Sequence, residues 1–219
     1  PYTTLFRSEP VFEKNIEMPM RDGTILRANV TRPNAAGSFP ILLERSPYNK
    51  DGGSEIAVGA PEFFARRGYA VVIQDVRGRF ASDGEFSPFR DDGAGVLRDG
   101  YDTIEWLATQ PWCNGDIGTI GGSYSGATQY QAALSRPPHL RAMFVRESSA
   151  DYQREWVYRD GAFELGFSLY WAHVVTETNL PHLAEGEELE RQKRLLRKAG
   201  EEIDDWYAKL PLYPCPFLE

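Results

Sequence analysis

Histidine and cysteine are scarce in this chain of 219 residues, which contains three histidines and two cysteines. The cysteines, Cys113 and Cys215, match no spacing typical of a metal site or a redox motif. No apolar run approaches the roughly 20 residues that a membrane-spanning helix needs. The formal net charge of -8 argues against a nucleic-acid-binding surface. The composition therefore predicts a globular protein with neither nucleic acid nor membrane as a partner, and it implies no metal or organic cofactor.

The two ends of the chain look arbitrary. Residues 1–8 resemble the in-frame translation of a sequencing adapter, and we treat them as a non-native tail; a natural tail is the alternative. Residues 210–219 stop without a helix cap or a closing strand. The sequence is therefore expected to be a fragment of a longer reading frame.

Strand and helix patterns alternate along the first two thirds of the chain. Period-two segments and short apolar runs predict strands at 11–18, 24–31, 39–44, 69–74, 117–120 and 140–145. Amphipathic or small-residue stretches predict helices at 61–67, 99–110 and from the serine turn to about residue 135. Such alternation predicts the α/β class, with a mostly parallel sheet between helices. After Glu147 the sequence becomes aromatic-rich and mostly helical in pattern.

The segment from Asp116 to Tyr130 is the most informative part of the chain. A short apolar strand runs into Gly121 and Gly122, then into Ser123, and then into a helix of small residues. This arrangement is typical of a nucleophilic serine on a sharp strand-to-helix turn. The expected glycine two positions after the serine is replaced by Ser125, and Gly126 comes one position late. In such a turn, the backbone N–H of Tyr124 would point at a developing oxyanion.

A second candidate follows the strand predicted at 39–44. Tyr48, in Arg45-Ser-Pro-Tyr48-Asn-Lys50, lies at the carboxyl edge of the sheet, where open α/β sheets bind ligands. Its hydroxyl could donate a hydrogen bond to an oxyanion, as side-chain donors do in some acyl-transfer sites. The alternative is an aromatic ring that packs at the rim of the sheet. The residues alone favour the packing interpretation.

Three segments in order resemble the cocaine-esterase and X-prolyl dipeptidyl-peptidase family of α/β-hydrolases. They are Arg45 to Lys50, Asp75 to Gly84, and Gly121 to Gly126, and the late glycine is a feature of that family. The resemblance implies an α/β-hydrolase fold in which Ser123 is the nucleophile, while the Tyr48 hydroxyl and the Tyr124 N–H donate to the oxyanion. It also implies that residues 9–150 form the N-terminal part of the hydrolase domain and residues 151–219 an incomplete helical cap.

A serine nucleophile of this fold needs a histidine base and a carboxylate that follow it in the chain. His139 precedes a predicted strand, His173 lies in the aromatic helical region, and His182 is in a Leu-Pro-His-Leu segment that predicts a loop. None follows a strand after the cap, where the family places its base. We therefore expect the catalytic aspartate and histidine to lie beyond Glu219, and the fragment alone to be inactive.

The sequence thus predicts a serine hydrolase that cleaves an ester or amide through an acyl-enzyme, with a small ester or short peptide as its substrate. A dipeptidyl-peptidase that cuts after proline is the alternative within the class. A binding module that keeps the fold without the chemistry is the alternative outside it. The sequence assigns no oligomeric state.

Acidic residues near the expected site have two possible roles. Glu147 and Asp151 could hold the ammonium group of an aminoacyl substrate, or they could cap the next helix. Asp75, Arg77 and Asp83 lie on one loop, where an arginine between carboxylates is expected to fix the backbone.

Overall fold

The computed structural model describes residues 8–52, 61–93 and 95–208. Two compact units divide the chain, Pro1–Ala150 and Asp151–Glu219. The tail assigned to residues 1–8 and the thiol of Cys215 therefore lie outside the described residues, except for Ser8.

The first unit alternates strands and helices. Its elements are β1 (Val11–Pro19), β2 (Ile25–Arg32), β3 (Phe39–Ser46), α1 (Pro61–Ala65), β4 (Ala70–Asp75), α2 (Asp99–Ala108), β5 (Cys113–Gly122), α3 (Ser123–Leu134) and β6 (Leu140–Arg146). The predicted hairpin is present, because β1 and β2 pair antiparallel around the turn at Asp22 and Gly23. Every strand and helix predicted in this unit is confirmed, with ends that differ by a few residues.

The six strands form one mixed sheet in the order β1-β2-β4-β3-β5-β6. The β1–β2 and β2–β4 pairs are antiparallel, whereas β4, β3, β5 and β6 run parallel to one another. The parallel strands therefore end at a common carboxyl edge, where Ser46 pairs with Asp75 and Gly122 with Arg146. This edge is where an open α/β sheet binds its ligands.

The side chains of β4 show how the sheet separates two apolar layers. Ala70 and Val72 belong to a large core cluster, and Val71 and Ile73 belong to a second cluster on the other face. Helix α2 contributes Ile104 and Leu107 to the large cluster, while Phe64 of α1 packs against the second. Successive strand residues point to opposite faces, so a strand that is buried on both faces reads as a continuous apolar run.

The second unit is mostly helical, as the sequence predicts. A π-helical turn (Gln153–Val157) and a short hairpin of β7 (Tyr158–Arg159) and β8 (Ala162–Phe163) precede three helices. These are α4 (Leu165–Leu183), α5 (Gly186–Glu201) and α6 (Ile203–Tyr207). The hairpin was not predicted, although its turn residues Asp160 and Gly161 both have positive φ and form a recognised hairpin signal.

The loop predicted at His182 is wrong, because this residue lies in the last turn of α4. Pro181 precedes it inside the helix. Proline fixes φ near the helical value, but it removes the hydrogen bond that an N–H at this position would donate to the carbonyl group of Glu177. The helix nevertheless continues to Leu183. Among the described residues, none of the helices has the length and apolar character needed to cross a membrane.

Candidate active site

Ser123 lies at the junction of β5 and α3, at the carboxyl edge of the sheet. Strand β5 ends at Gly122, whose backbone is extended, and the helix begins at the serine itself. Ser123 has φ of 52°, in the left-handed region that a side chain with a β-carbon rarely adopts. Such a conformation costs on the order of 1–3 kcal/mol, and it persists only where the surrounding structure holds it in place. The strained strand-to-helix turn predicted from the sequence is therefore present.

The glycines around Ser123 are explained by close packing across the turn. A β-carbon added to Gly121 would lie 2.5 Å from Cβ of Ser125, and Gly121 has φ of +148°. A β-carbon added to Gly126 would lie 2.5 Å from Cβ of Ser148, on the chain that leaves β6. Position 125 thus tolerates a small side chain, whereas position 126 has to be glycine. This packing is the physical reason for the late glycine of the motif.

We expect Gly121→Ala to destabilise the first unit by about 2–4 kcal/mol, since it combines a steric clash with an unfavourable φ. The midpoint of thermal unfolding should fall by roughly 5–15 °C. Gly166→Ala is the matched control, because a β-carbon at Gly166 meets nothing within 4 Å. A midpoint for Gly121→Ala that equals that of the control would contradict the packing argument.

The side chain of Tyr124 is buried beneath the turn and is 1% exposed. Its ring stacks on Phe89 at a centroid distance of 4.3 Å, and its hydroxyl accepts a hydrogen bond of 2.9 Å from the Phe89 N–H. Burial raises the pKa of the Tyr124 phenol well above its usual value. The hydroxyl is therefore a neutral structural group, and a role in chemistry falls to the backbone. N–H groups in the first turn of a helix have no carbonyl partner within that helix.

Tyr48 lies beside this turn, two residues beyond the end of β3. Leu43 pairs with Thr119, and continuing that parallel register places Ser46 opposite Gly122. The half-buried Tyr48 ring meets the Tyr124 ring edge-on, with 6.4 Å between centroids. The structure therefore brings together all three predicted site residues, Ser123, Tyr48 and Tyr124.

A buried cation supports the loop that carries Tyr48. Arg79 is 1% exposed, and its Nε donates a hydrogen bond of 3.0 Å to the carbonyl oxygen of Pro47. The guanidinium lies over the rings of Phe80 and Phe86, at 4.9 Å and 4.8 Å from their centroids. Burial lowers the pKa of Arg79 to about 10, so the side chain stays charged at neutral pH.

Asp75, Arg77 and Asp83 have structural partners, although Asp75 is the last residue of β4 and only the other two lie on the loop after it. Asp75 is fully buried and lies 3.0 Å from Nζ of Lys50. Arg77 forms two hydrogen bonds of 2.7 and 2.8 Å with the buried carboxylate of Asp99. Asp83 pairs at its exposed carboxylate with Arg27 of β2. These contacts support the expectation that this loop fixes the backbone shape at the carboxyl edge.

The histidine of the first unit lies at the wrong edge of the sheet to act as a base. His139 precedes β6, and its Nδ1 is 2.8 Å from Oε2 of Glu105 on α2. Ser123 follows Gly122, whose partner Arg146 lies at the other end of β6. The length of this strand separates the two side chains by about 20 Å. His173 and His182 both lie on α4 of the second unit.

Asp151 makes one contact of the kind expected of a helix cap, and its other possible role, binding an ammonium group, stays a prediction. Its Oδ1 accepts a hydrogen bond of 3.1 Å from the backbone N–H of Arg154, in the turn that follows. Glu147 has a positive φ of 43° where the chain leaves β6.

Two buried polar contacts beneath the turn were not predicted from the sequence. The Ser125 hydroxyl donates a hydrogen bond of 3.2 Å to Glu44 of β3, and the amide of Gln129 bonds to the backbone on both sides of Ser123. The sequence feature that could have indicated these contacts is a polar residue on the sheet-facing side of a helix built from small residues. Such a side chain needs partners when it is buried.

Several known proteins are similar to this chain. It is 43% identical over 164 residues to the cocaine esterase of Rhodococcus sp., a match that covers 74% of this chain and 28% of the esterase. A crystal structure of a CocE/NonD family hydrolase from Staphylococcus aureus superposes with a TM-score of 0.72 at 32% identity, covering 85% of this chain and 36% of that one. An α-amino acid ester hydrolase gives a TM-score of 0.62 at 28% identity, covering 78% and 31% of the two chains.

The chain therefore spans about a third of the length of the relatives that it matches. The family model described as X-Pro dipeptidyl-peptidase (S15 family) matches residues 22–214. This match and the structural neighbours confirm the α/β-hydrolase fold and the family resemblance seen in the sequence. The chain belongs to the S15 X-Pro dipeptidyl-peptidase family, within the cocaine-esterase-like hydrolases.

Proposed function

We propose that this chain carries the nucleophile and the oxyanion donors of a serine hydrolase that cleaves esters through an acyl-enzyme. The observation that supports this most directly is the strained turn at Ser123, whose φ is 52°. A turn of this kind lifts a serine hydroxyl above the carboxyl edge of the sheet. Within this family, the 43% identity to a cocaine esterase favours an ester over a peptide bond.

In the proposed reaction, Ser123 Oγ attacks the substrate carbonyl carbon and loses its proton to a histidine base. The carbonyl oxygen becomes an oxyanion, which accepts hydrogen bonds from the Tyr124 N–H and the Tyr48 hydroxyl. The tetrahedral intermediate then expels the alcohol, which takes up the proton, and leaves an ester on Ser123. Water hydrolyses that ester in a second, equivalent cycle.

The histidine base and its carboxylate are proposed to come from outside the described residues. His139 is paired with Glu105 at the opposite edge of the sheet. In the family fold, the base follows the nucleophile and the carboxylate in chain order. An alcohol without a base stays protonated at neutral pH and is a weak nucleophile.

We therefore expect the purified chain of 219 residues to show no hydrolysis of an aryl ester above that of its own Ser123→Ala variant. Members of a catalytic triad act as a unit, so a single missing member removes most of the rate. The whole protein serves as the positive control. Turnover by the wild-type chain alone that Ser123→Ala abolishes would show that the base lies within these residues.

The substrate class is tested on the whole protein with two series of substrates. Labelling by a fluorophosphonate that is lost in Ser123→Ala would establish the nucleophile. Faster hydrolysis of aryl or aminoacyl esters than of Xaa-Pro anilides would support the esterase. The reverse order of kcat/KM would identify a dipeptidyl-peptidase, which is the activity named in the description of the family model. An unlabelled protein that hydrolyses neither series would favour a binding module.

A further inference from the structure

Gln129 lies on α3 beneath the Ser123 turn, and its side chain is almost completely buried. The residue is 3% exposed. Its amide nitrogen Nε2 lies 3.1 Å from the carbonyl oxygen of Gly121 and 3.0 Å from that of Ser125. A third carbonyl oxygen, that of Phe144 on β6, lies 3.3 Å away. One side chain therefore bonds to the backbone two residues before Ser123, two residues after it, and on the neighbouring strand.

The orientation of this amide is fixed by its neighbours. The hydroxyl of Thr119, on β5, donates a hydrogen bond of 3.0 Å to Oε1 of Gln129. The opposite orientation would place Oε1 against three carbonyl oxygens, none of which can donate. Thr119 is itself 6% exposed, so the contact is shielded from water. The amide therefore directs its nitrogen at these three carbonyl groups, and those of Gly121 and Ser125, which flank Ser123, lie nearest.

We propose that Gln129 is a positioning residue that holds Ser123 in its strained conformation. The proposal rests on the proposed function, because it assigns Gln129 to the nucleophile of that reaction. A left-handed serine persists only where the surrounding structure determines the backbone on both sides of it. Gln129 restrains the backbone on both sides of Ser123, because its one planar amide donates hydrogen bonds to the carbonyl groups of Gly121 and Ser125. The peptide that follows Gly121 leads directly into the turn, and its rotation would break this hydrogen bond.

Gln129 acts through Ser123 and does not contact the substrate in this scheme. Its loss should therefore slow the chemical step and leave substrate binding nearly unchanged. A purely structural glutamine would behave differently. Its removal would lower the unfolding midpoint, while the folded fraction would react at the wild-type rate.

The test is Gln129→Met in the whole protein, assayed well below the unfolding midpoint of each variant. Methionine fills a similar volume but donates no hydrogen bond. We expect fluorophosphonate labelling of Ser123 and kcat for an aryl ester to fall at least tenfold, with KM within about threefold of wild type. Gln110→Met is the matched control, because the Gln110 amide bonds to Trp106 at the end of α2. This control should label at the wild-type rate.

Thr119→Val provides a second variant that keeps the glutamine and removes its hydroxyl partner. It should slow labelling in the same direction by a smaller factor, and the double variant should be no slower than Gln129→Met. Labelling of Gln129→Met within twofold of wild type would overturn the proposal. If Gln129→Met does not fold, wild-type labelling of Thr119→Val would overturn it instead.

Failure of the proposed function gives a different result. If Ser123→Ala is labelled as fast as wild type, Ser123 is not the nucleophile and both proposals fall. If Ser123→Ala abolishes labelling while Gln129→Met leaves it unchanged, only the role of Gln129 is rejected.

Discussion

Ser123→Ala in the whole protein is expected to abolish covalent labelling and to lower kcat by about a millionfold, as loss of the nucleophile does in serine hydrolases that use a triad. The physical reason is that the proposed acyl-enzyme forms on the Ser123 hydroxyl, which alanine lacks. Hydrolysis that remains would depend on the oxyanion donors and on substrate binding alone. We expect the KM of Ser123→Ala to stay close to that of the wild type, because one hydroxyl group contributes little to substrate binding.

Ser135→Ala is the matched control for this variant. Ser135 caps the other end of the same helix, where its hydroxyl donates to the carbonyl oxygen of Gly93. We expect Ser135→Ala to retain ester hydrolysis and active-site labelling near the wild-type rates. A Ser123→Ala protein that keeps more than a few per cent of wild-type kcat would require another nucleophile and would remove the central residue of the proposed mechanism.

The fold could be predicted from the sequence to a large extent because its elements differ in period. The apolar run of β4 and the amphipathic pattern of α2 each indicate one structure, and both are present. The order of the strands was not predicted. Strand β4 lies between β2 and β3, so sequence neighbours are not all sheet neighbours. A periodic pattern determines which face of a strand is buried, and it carries little information on the adjacent strand.

The turn at Ser123 was predictable for a local reason, whereas its support was not. Glycine before a lone serine at a strand end indicates a sharp turn regardless of the rest of the molecule. The need for glycine at 126 depends on Ser148, which follows a different strand. The contacts of Gln129 likewise involve β5 and β6 together. Contacts of this kind require the register between strands, which the sequence does not contain.

The loop predicted at His182 shows the opposite error, in which a local signal was given too much weight. Proline commonly ends a helix, but Pro181 lies within α4, and the backbone N–H of Ala184 still bonds to the carbonyl of Leu180. The helix therefore continues past Pro181, although proline removes one of its hydrogen bonds.

Tyr48→Phe has the second largest expected effect, and it separates the two interpretations of this residue. If the hydroxyl donates to the oxyanion, its loss costs on the order of 3 kcal/mol, or about a hundredfold or more in kcat. KM should change little, because the bond reaches full strength only in the transition state. Steady-state kinetics on the whole protein measure both quantities.

The alternative is that Tyr48 only packs against the rim of the site. Phenylalanine keeps the ring, and with it the edge-on contact with Tyr124 at 6.4 Å, so packing alone predicts almost no change. Tyr69→Phe is the matched control, since Tyr69 is also half-buried but precedes β4 at the opposite edge of the sheet. A kcat for Tyr48→Phe within about threefold of wild type, a barrier change well under 1 kcal/mol, would leave the Tyr124 N–H as the one proposed donor to the oxyanion.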